Sequence, residues 1–353
     1  MMPLKNSITL VFILTLLFAC NNKHKVEKVE RAFYFWKGNA VGDENSEQLK
    51  KLNVQKLYFK LFEVDYSEAR GNFPYLKNRP YAYDFKTLDS IKIVPTIFIK
   101  NGIFQYNNEQ SLDKLADNIV FLIDKYSFDQ GYNGTTKKIF DYDEIQIDCD
   151  WTKTTKDQYF YLLKKIKQLS HKKISCTLRL YAYKYPEAMG IPPVDKATLM
   201  CYNLIKPLSQ QNKNSILDIA ELKKYLDKKR SYPVHLDIAL PTFYWTQLYQ
   251  NNRFEELIDV SPNQVKGFSK LVKPFWYQVV RDTSINYNLY LQAGDQLKCE
   301  DVPAPNILKA IDIIKQQVDL DPETTISLFD LDQSTFTQYT NAEIASFYTA
   351  FTK

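Results

Sequence analysis

Eight short runs rich in β-branched and aromatic residues recur along this 353-residue chain: Ala32–Trp36, Lys56–Val64, Ile93–Ile99, Glu144–Asp150, Ile174–Tyr181, Thr198–Asn203, His235–Pro241 and Thr325–Leu331. Stretches of helical period lie between most of them, at Ser46–Leu52, Ser111–Tyr126, Thr155–Ser170, Ser215–Lys228 and Pro305–Val318, and a last one at Asn341–Phe351 follows the eighth run. Asp113, Asp157 and Asp218 put negative charge near helix starts, where it suits the helix dipole. Strand and helix in alternation imply βα units and a parallel sheet, and eight such strands predict an α/β chain closed as a (β/α)8 TIM barrel. The expected domain spans residues 32–353. The connection from Tyr244 to Pro303 is too long for one βα loop, and its runs at 275–280, 288–292 and 296–300 predict an antiparallel β insertion, about 244–303, between strands seven and eight.

The amino-terminal residues have a different character. Lys5 precedes an apolar run from Ile8 to Phe18 that is too short to span a bilayer, and the run closes on Leu17-Phe18-Ala19-Cys20. This resembles the bacterial lipobox. The resemblance implies removal of residues 1–19 as a signal peptide, diacylation of Cys20 with palmitate-like chains, and a polar tether over 20–31. Asn21, Asn22 and Lys23 follow the cysteine where acidic residues would favour surface export. The expected location is therefore the bacterial cell envelope, lipid-anchored in the outer membrane and facing the periplasm.

Several function classes are poorly served by the sequence. The formal charge of +5 is spread without a dense basic block, so no nucleic-acid partner is expected. Cys149, Cys176, Cys201 and Cys299 form no CxxC, and three of them fall inside predicted strands, which predicts buried free thiols. Only His24, His171 and His235 are available for a metal site or a Ser-His-Asp triad, and no Gly-rich phosphate loop occurs. No metal and no cofactor is expected, and the chain is expected to be a monomer.

The most informative run is Asp143-Glu144-Ile145-Gln146-Ile147-Asp148-Cys149-Asp150-Trp151. Side chains alternate along a strand, so Gln146, Asp148 and Asp150 share one face, and Ile145, Ile147 and Cys149 share the other. In a barrel the apolar face meets the helices. The polar face then points inward, towards the carboxyl-end mouth where barrel enzymes hold their chemistry. Two carboxyls that close together push one pKa up, giving a protonated acid beside an ionised partner. The same pattern is also open to a plainer reading, in which the acids are solvated or paired with Arg179 or a lysine.

The run resembles the strand-four signature D-x-x-D-x-D-x-E of family 18 glycoside hydrolases, the chitinase-like barrels. Leu199-Met200-Cys201-Tyr202-Asn203 is similar to that family's sixth-strand M-x-Y-[DN], and Leu240-Pro241-Thr242-Phe243-Tyr244 resembles its seventh-strand G-x-P-x-Y. The resemblance implies Asp150 as general acid, Asp148 as the partner that orients a substrate acetamido group, and Tyr202 as a hydrogen-bond donor to that group, with Gln146 and Asn203 beside them. This chain departs from the pattern at Asp150, where the family has glutamate, and at Gln146, where it has aspartate.

Other residues are candidate contacts for a carbohydrate partner. Arg179 shares a face with Ser175 and Thr177 and is expected either to bind a substrate hydroxyl or to hold Asp148 ionised. Tyr34 and Trp36 at the end of strand one, with Tyr244 and Trp245 after strand seven, are candidate stacking platforms. Glu63 and Asp65, or Asp330 and Asp332, are candidates for a second carboxylate across the mouth, and Tyr181, Tyr183 and Tyr185 for a cleft wall. The sequence leaves three functions open: a glycosidase acting on a glycan, with N-acetylglucosamine-containing glycans among the candidates; an inactive carbohydrate-binding barrel; and an envelope scaffold.

Overall fold

The computed structural model describes residues 25–353 apart from 39–40, 79, 81–84, 86–87, 89, 131–135, 207, 209–211 and 288. Cys20 and residues 21–24 of the expected tether lie outside the described residues. No helix among the described residues is long and apolar enough to cross a membrane.

Eight parallel strands close on themselves: β1 (Lys28–Phe35), β2 (Lys56–Ser67), β3 (Lys92–Ile99), β4 (Glu144–Asp148), β5 (Lys173–Arg179), β6 (Lys196–Met200), β7 (His235–Pro241) and β8 (Glu323–Phe329). Each pairs with its sequence neighbour, and β1 pairs with both β2 and β8, so the sheet is a closed (β/α)8 barrel. Gly71–Tyr75 adds an antiparallel hairpin arm to β2. The eight expected strands are all present, with differences at their ends. β1 begins at Lys28, inside the expected tether, because Lys28 to Arg31 pair in register with Glu323 to Ile326. β5 stops at Arg179, and Leu180–Lys184 turns into a helix that carries Tyr181. The expected helix at Ser215–Lys228 shrinks to Ile219–Tyr225, since Asp218 caps its start through the Glu221 amide and Asn214 takes the amides of Ile216 and Leu217.

Alternation along each strand sorts the interior from the exterior. Outward positions such as Phe33, Phe59, Ile97, Ile147, Leu178, Leu199, Ile238 and Leu328 are buried against the helical layer. The inward positions stack in layers. The amino-end floor is ionic: Lys196 reaches Glu144 and Asp237 at 2.9 Å each, and Lys56 pairs with Glu30 and donates to Thr325 at 3.4 Å. Burial disfavours charge on Asp237, but Lys196, His235 and Lys56 together outweigh that and hold the carboxyl well below its ordinary range. Above the floor lie Tyr34 and Tyr58, stacked at 4.7 Å, and Gln146, which donates to Thr198 at 3.2 Å.

The insertion between β7 and β8 contains a five-stranded antiparallel sheet, ordered Arg253–Ile258, Trp245–Gln250, Gln296–Glu300, Trp276–Val279, Ser269–Lys273. It has its own apolar cluster around Leu248, Val260, Val265, Leu291 and Leu297. All four described cysteines are buried free thiols, as their placement in and beside strands predicts.

Candidate functional site

The site is built where the inward faces of the strands reach the mouth. On β4 the alternation puts Asp148 inside, one interior position above Gln146, and Asp150 just past the strand end at the rim. Asp148 is buried and accepts a 2.5 Å hydrogen bond from the Thr177 hydroxyl of β5. Asp150 is exposed, and Arg179 grips it with both ends of its fork, Nε to Oδ1 at 2.5 Å and Nη2 to Oδ2 at 2.7 Å. A bidentate pair of this kind fixes geometry as well as charge.

The two carboxyls are therefore unlike. Burial pushes the Asp148 carboxyl up to about 6, with the nearby Asp150 charge adding to the shift, while the Thr177 hydrogen bond and Arg179 oppose it. Burial also disfavours charge on Arg179, but its Asp150 partner outweighs this and raises the guanidinium above its ordinary value. Arg179 thus engages Asp150 rather than Asp148, because its side chain extends from the last residue of β5 to the rim instead of down into the barrel.

Aromatic rings wall the mouth. Phe329, the last residue of β8, lies 5.4 Å from Tyr202 and 5.5 Å from Trp36, and Phe98 stands 6.4 Å from Trp36. Tyr202 is buried, and burial drives its phenol well up, Tyr34 and Asp148 adding to the shift, so it stays a neutral donor. Asn203 adopts φ +53°, its amide donates to the Ile216 carbonyl, and its buried side-chain oxygen has no protein partner. Phe243 bridges Tyr202 at 6.1 Å and Trp245 at 5.7 Å.

Not every candidate joins this group as a free contact. Trp245 is half-buried, but its indole N–H is already spent on Glu300 at 2.6 Å. Tyr244 is half-buried, and burial raises its phenol with Asp259 and Asp332 adding. Glu63 is buried and accepts from Lys60 at 2.6 Å. Asp65 pairs instead with Lys100, and Asp332 caps the helix Gln333–Gln338. Asp330 sits buried just beyond β8, and burial pushes its carboxyl up to about 6, against the pull of Lys37.

Two residues of the mouth lie outside the sequence candidates: Lys60, whose ammonium lies 5.0 Å from the Trp36 ring centroid, and Phe329, the hub of the aromatic wall. The signal for Lys60 was present, because Lys56 and Lys60 share the inward face of β2 with Tyr58. Among the described residues no group of three His, Cys, Asp or Glu side chains is arranged to hold a metal ion.

No protein-family model and no curated protein matches the sequence. Among solved structures, the spore cortex-lytic enzyme SleL of Bacillus cereus aligns over 93% of this chain and 75% of its own, at 14% identity and a TM-score of 0.54. A xylanase and amylase inhibitor protein aligns over 92% of this chain and 98% of its own, at 9% identity and a TM-score of 0.46. A glycoside hydrolase family 5 enzyme of Prevotella bryantii covers 92% and 96%, at 9% identity and a TM-score of 0.42. The likeness to the cortex-lytic enzyme is one of fold.

The raised Asp148 pKa has a consequence for stability. Its folded value, about 6, lies above the ordinary 3.8, so the folded protein holds this proton more tightly than the unfolded chain. The group's favourable share is full below about pH 4 and is lost as pH rises towards 6, a change of roughly 3 kcal/mol. Urea denaturation of Asp148→Asn between pH 4 and 6.5 is expected to show a correspondingly smaller fall in stability than the parent, with the Asp330 share retained. An unchanged fall would mean that Asp148 is not the buried group that titrates.

Proposed function

We propose that the chain is a membrane-anchored glycoside hydrolase-like barrel acting on a glycan, with N-acetylglucosamine-containing polymers the first candidates, by acid catalysis from the strand-four carboxyls. One observation carries the reading: a buried Asp148 that keeps a proton up to about pH 6 sits one interior position below the rim carboxyl Asp150, in a mouth walled by Trp36, Phe329 and Tyr202. A proton available near neutral pH beside aromatic faces that suit sugar rings is what cleavage of a glycosidic bond requires. The ordered resemblance to family 18 motifs supports the same assignment.

In this reading Asp150, the more exposed carboxyl, protonates the leaving oxygen as the glycosidic C–O bond breaks, and the substrate's own N-acetyl carbonyl attacks the anomeric carbon. Asp148 and Tyr202 orient the acetamido group, and the proton delivered to the leaving oxygen passes from Asp148 to Asp150. Binding must therefore draw Arg179 from Asp150 onto a substrate hydroxyl. A second reading, a carbohydrate-binding barrel without turnover, is favoured by the bidentate Arg179–Asp150 pair, which occupies both oxygens at the very position that the family fills with glutamic acid.

Product release from a panel of native and fluorogenic glycans, N-acetylglucosaminides included, separates the two. Hydrolysis by the parent that falls at least about 100-fold in both Asp148→Asn and Asp150→Asn is the expected result. Glycan binding without turnover in all three proteins would establish the second reading in its place.

The anchor is likewise proposed, on the strength of Lys5, the apolar run and Cys20, with a body whose first strand starts only eight residues further on. We propose the bacterial outer membrane as its location, facing the periplasm. Labelled palmitate is expected to enter the parent in a bacterial host and to be absent from Cys20→Ser; equal labelling of both would exclude Cys20 as the acceptor.

A further inference from the structure

Glu300 closes the last strand of the insertion, and its side chain is fully buried. Five donors converge on its two oxygens. The Ser215 amide at 2.8 Å and Lys298 at 3.0 Å meet Oε1, while the Ser215 hydroxyl at 2.6 Å, the Trp245 indole N–H at 2.6 Å and the Gln247 amide at 3.2 Å meet Oε2. A carboxylate left in such a place without donors would be strongly unfavourable, so this degree of satisfaction is what allows a charge there.

The donors come from separate parts of the chain. Lys298, Gln247 and Trp245 belong to the insertion, whereas Ser215 belongs to the loop that follows β6. That loop runs beside Asn203 and Leu204, whose amides donate to the carbonyls of Ile216 and Ser215 at 2.8 and 3.1 Å. Trp245 in turn meets Phe243, and Phe243 meets Tyr202 and Phe329. One buried carboxylate thus ties the insertion to the rim of the mouth by two routes, an indole ring and a backbone.

We propose that Glu300 is a positioning residue that fixes Trp245 and the Asn203 loop as one wall of the glycan site. The proposal rests on the glycan reading of the mouth, and its experiment is chosen so that the two fail separately. In Glu300→Gln the carbonyl oxygen stays on the side of the charged Lys298, which turns the new amide N–H2 towards the indole N–H, donor against donor. Trp245 loses its anchor while the volume is kept. Should the loss of negative charge beside Lys298 unfold that variant, the double substitution Lys298→Met with Glu300→Gln removes the buried charge and poses the same question.

Two readouts are needed. The fluorescence of Trp245, taken as the parent spectrum minus that of Trp245→Phe, needs no glycan; it is expected to move to longer wavelength and to become accessible to acrylamide in the glutamine variants. Unchanged emission in both overturns the proposal. Affinity for the tetramer of N-acetylglucosamine is the second readout. It is expected to weaken about tenfold in Trp245→Phe, about tenfold in Glu300→Gln, and no further when the two are combined. Losses that multiply, or a Trp245→Phe protein that binds as the parent does, overturn it as well. Loosened emission in the glutamine variants, together with a parent protein that binds no tetramer, would count against the glycan reading and leave the link from Glu300 to Trp245 standing.

Discussion

A closed barrel that buries charged side chains must pair them, and the ionic floor does this first. Lys196 lies between Glu144 of β4 and Asp237 of β7, while Lys56 pairs with Glu30 across β1 and β2. Removing one member would strand the others without water, at a cost of about 3–5 kcal/mol. The floor fills the amino end with paired charges, and the candidate site lies at the other end.

Above that floor the layers change character in order. Phenols, an amide and hydroxyls occupy the middle, and a carboxyl pair with an aromatic wall occupies the top. The two acids of β4 owe their difference to one interior step of height. Asp148 lies below the rim and is pushed towards neutrality, whereas Asp150 lies at the rim within reach of Arg179 and is held by it. A strand period of two and a short βα loop suffice to make that contrast. The insertion then adds a side wall, fastened through Glu300 to the loop after β6.

The strands were legible because alternation is a local property. Gln146-Ile147-Asp148-Cys149 declares its inward and outward faces to any reader of the sequence, and the same pattern placed all eight strands. What stayed hidden depended on partners distant in the chain. Arg179 lies 29 residues from Asp150, and its choice of that acid over Asp148 follows from where β5 ends. Glu300 lies 55 residues from Trp245, so a ring that sequence marks as a free platform turns out to be tethered. Phe329 reads as an ordinary strand residue until closure of β8 on β1 brings it against Trp36 and Tyr202. The start of β1 at Lys28 was missed for the same reason, since its charged residues pair with β8 and carry no apolar pattern of their own.

The glycan reading stands or falls on whether the mouth above Asp148 receives a sugar. A crystal of the protein soaked with a thio-linked N-acetylglucosamine oligomer, which resists hydrolysis, tests it most directly. The expected result is a pyranose ring against Trp36 and Phe329, with its acetamido group within hydrogen-bonding distance of Asp148 and Tyr202 and Arg179 turned from Asp150 to the sugar. An empty mouth at saturating oligomer, or a sugar seated only elsewhere on the molecule, would contradict it.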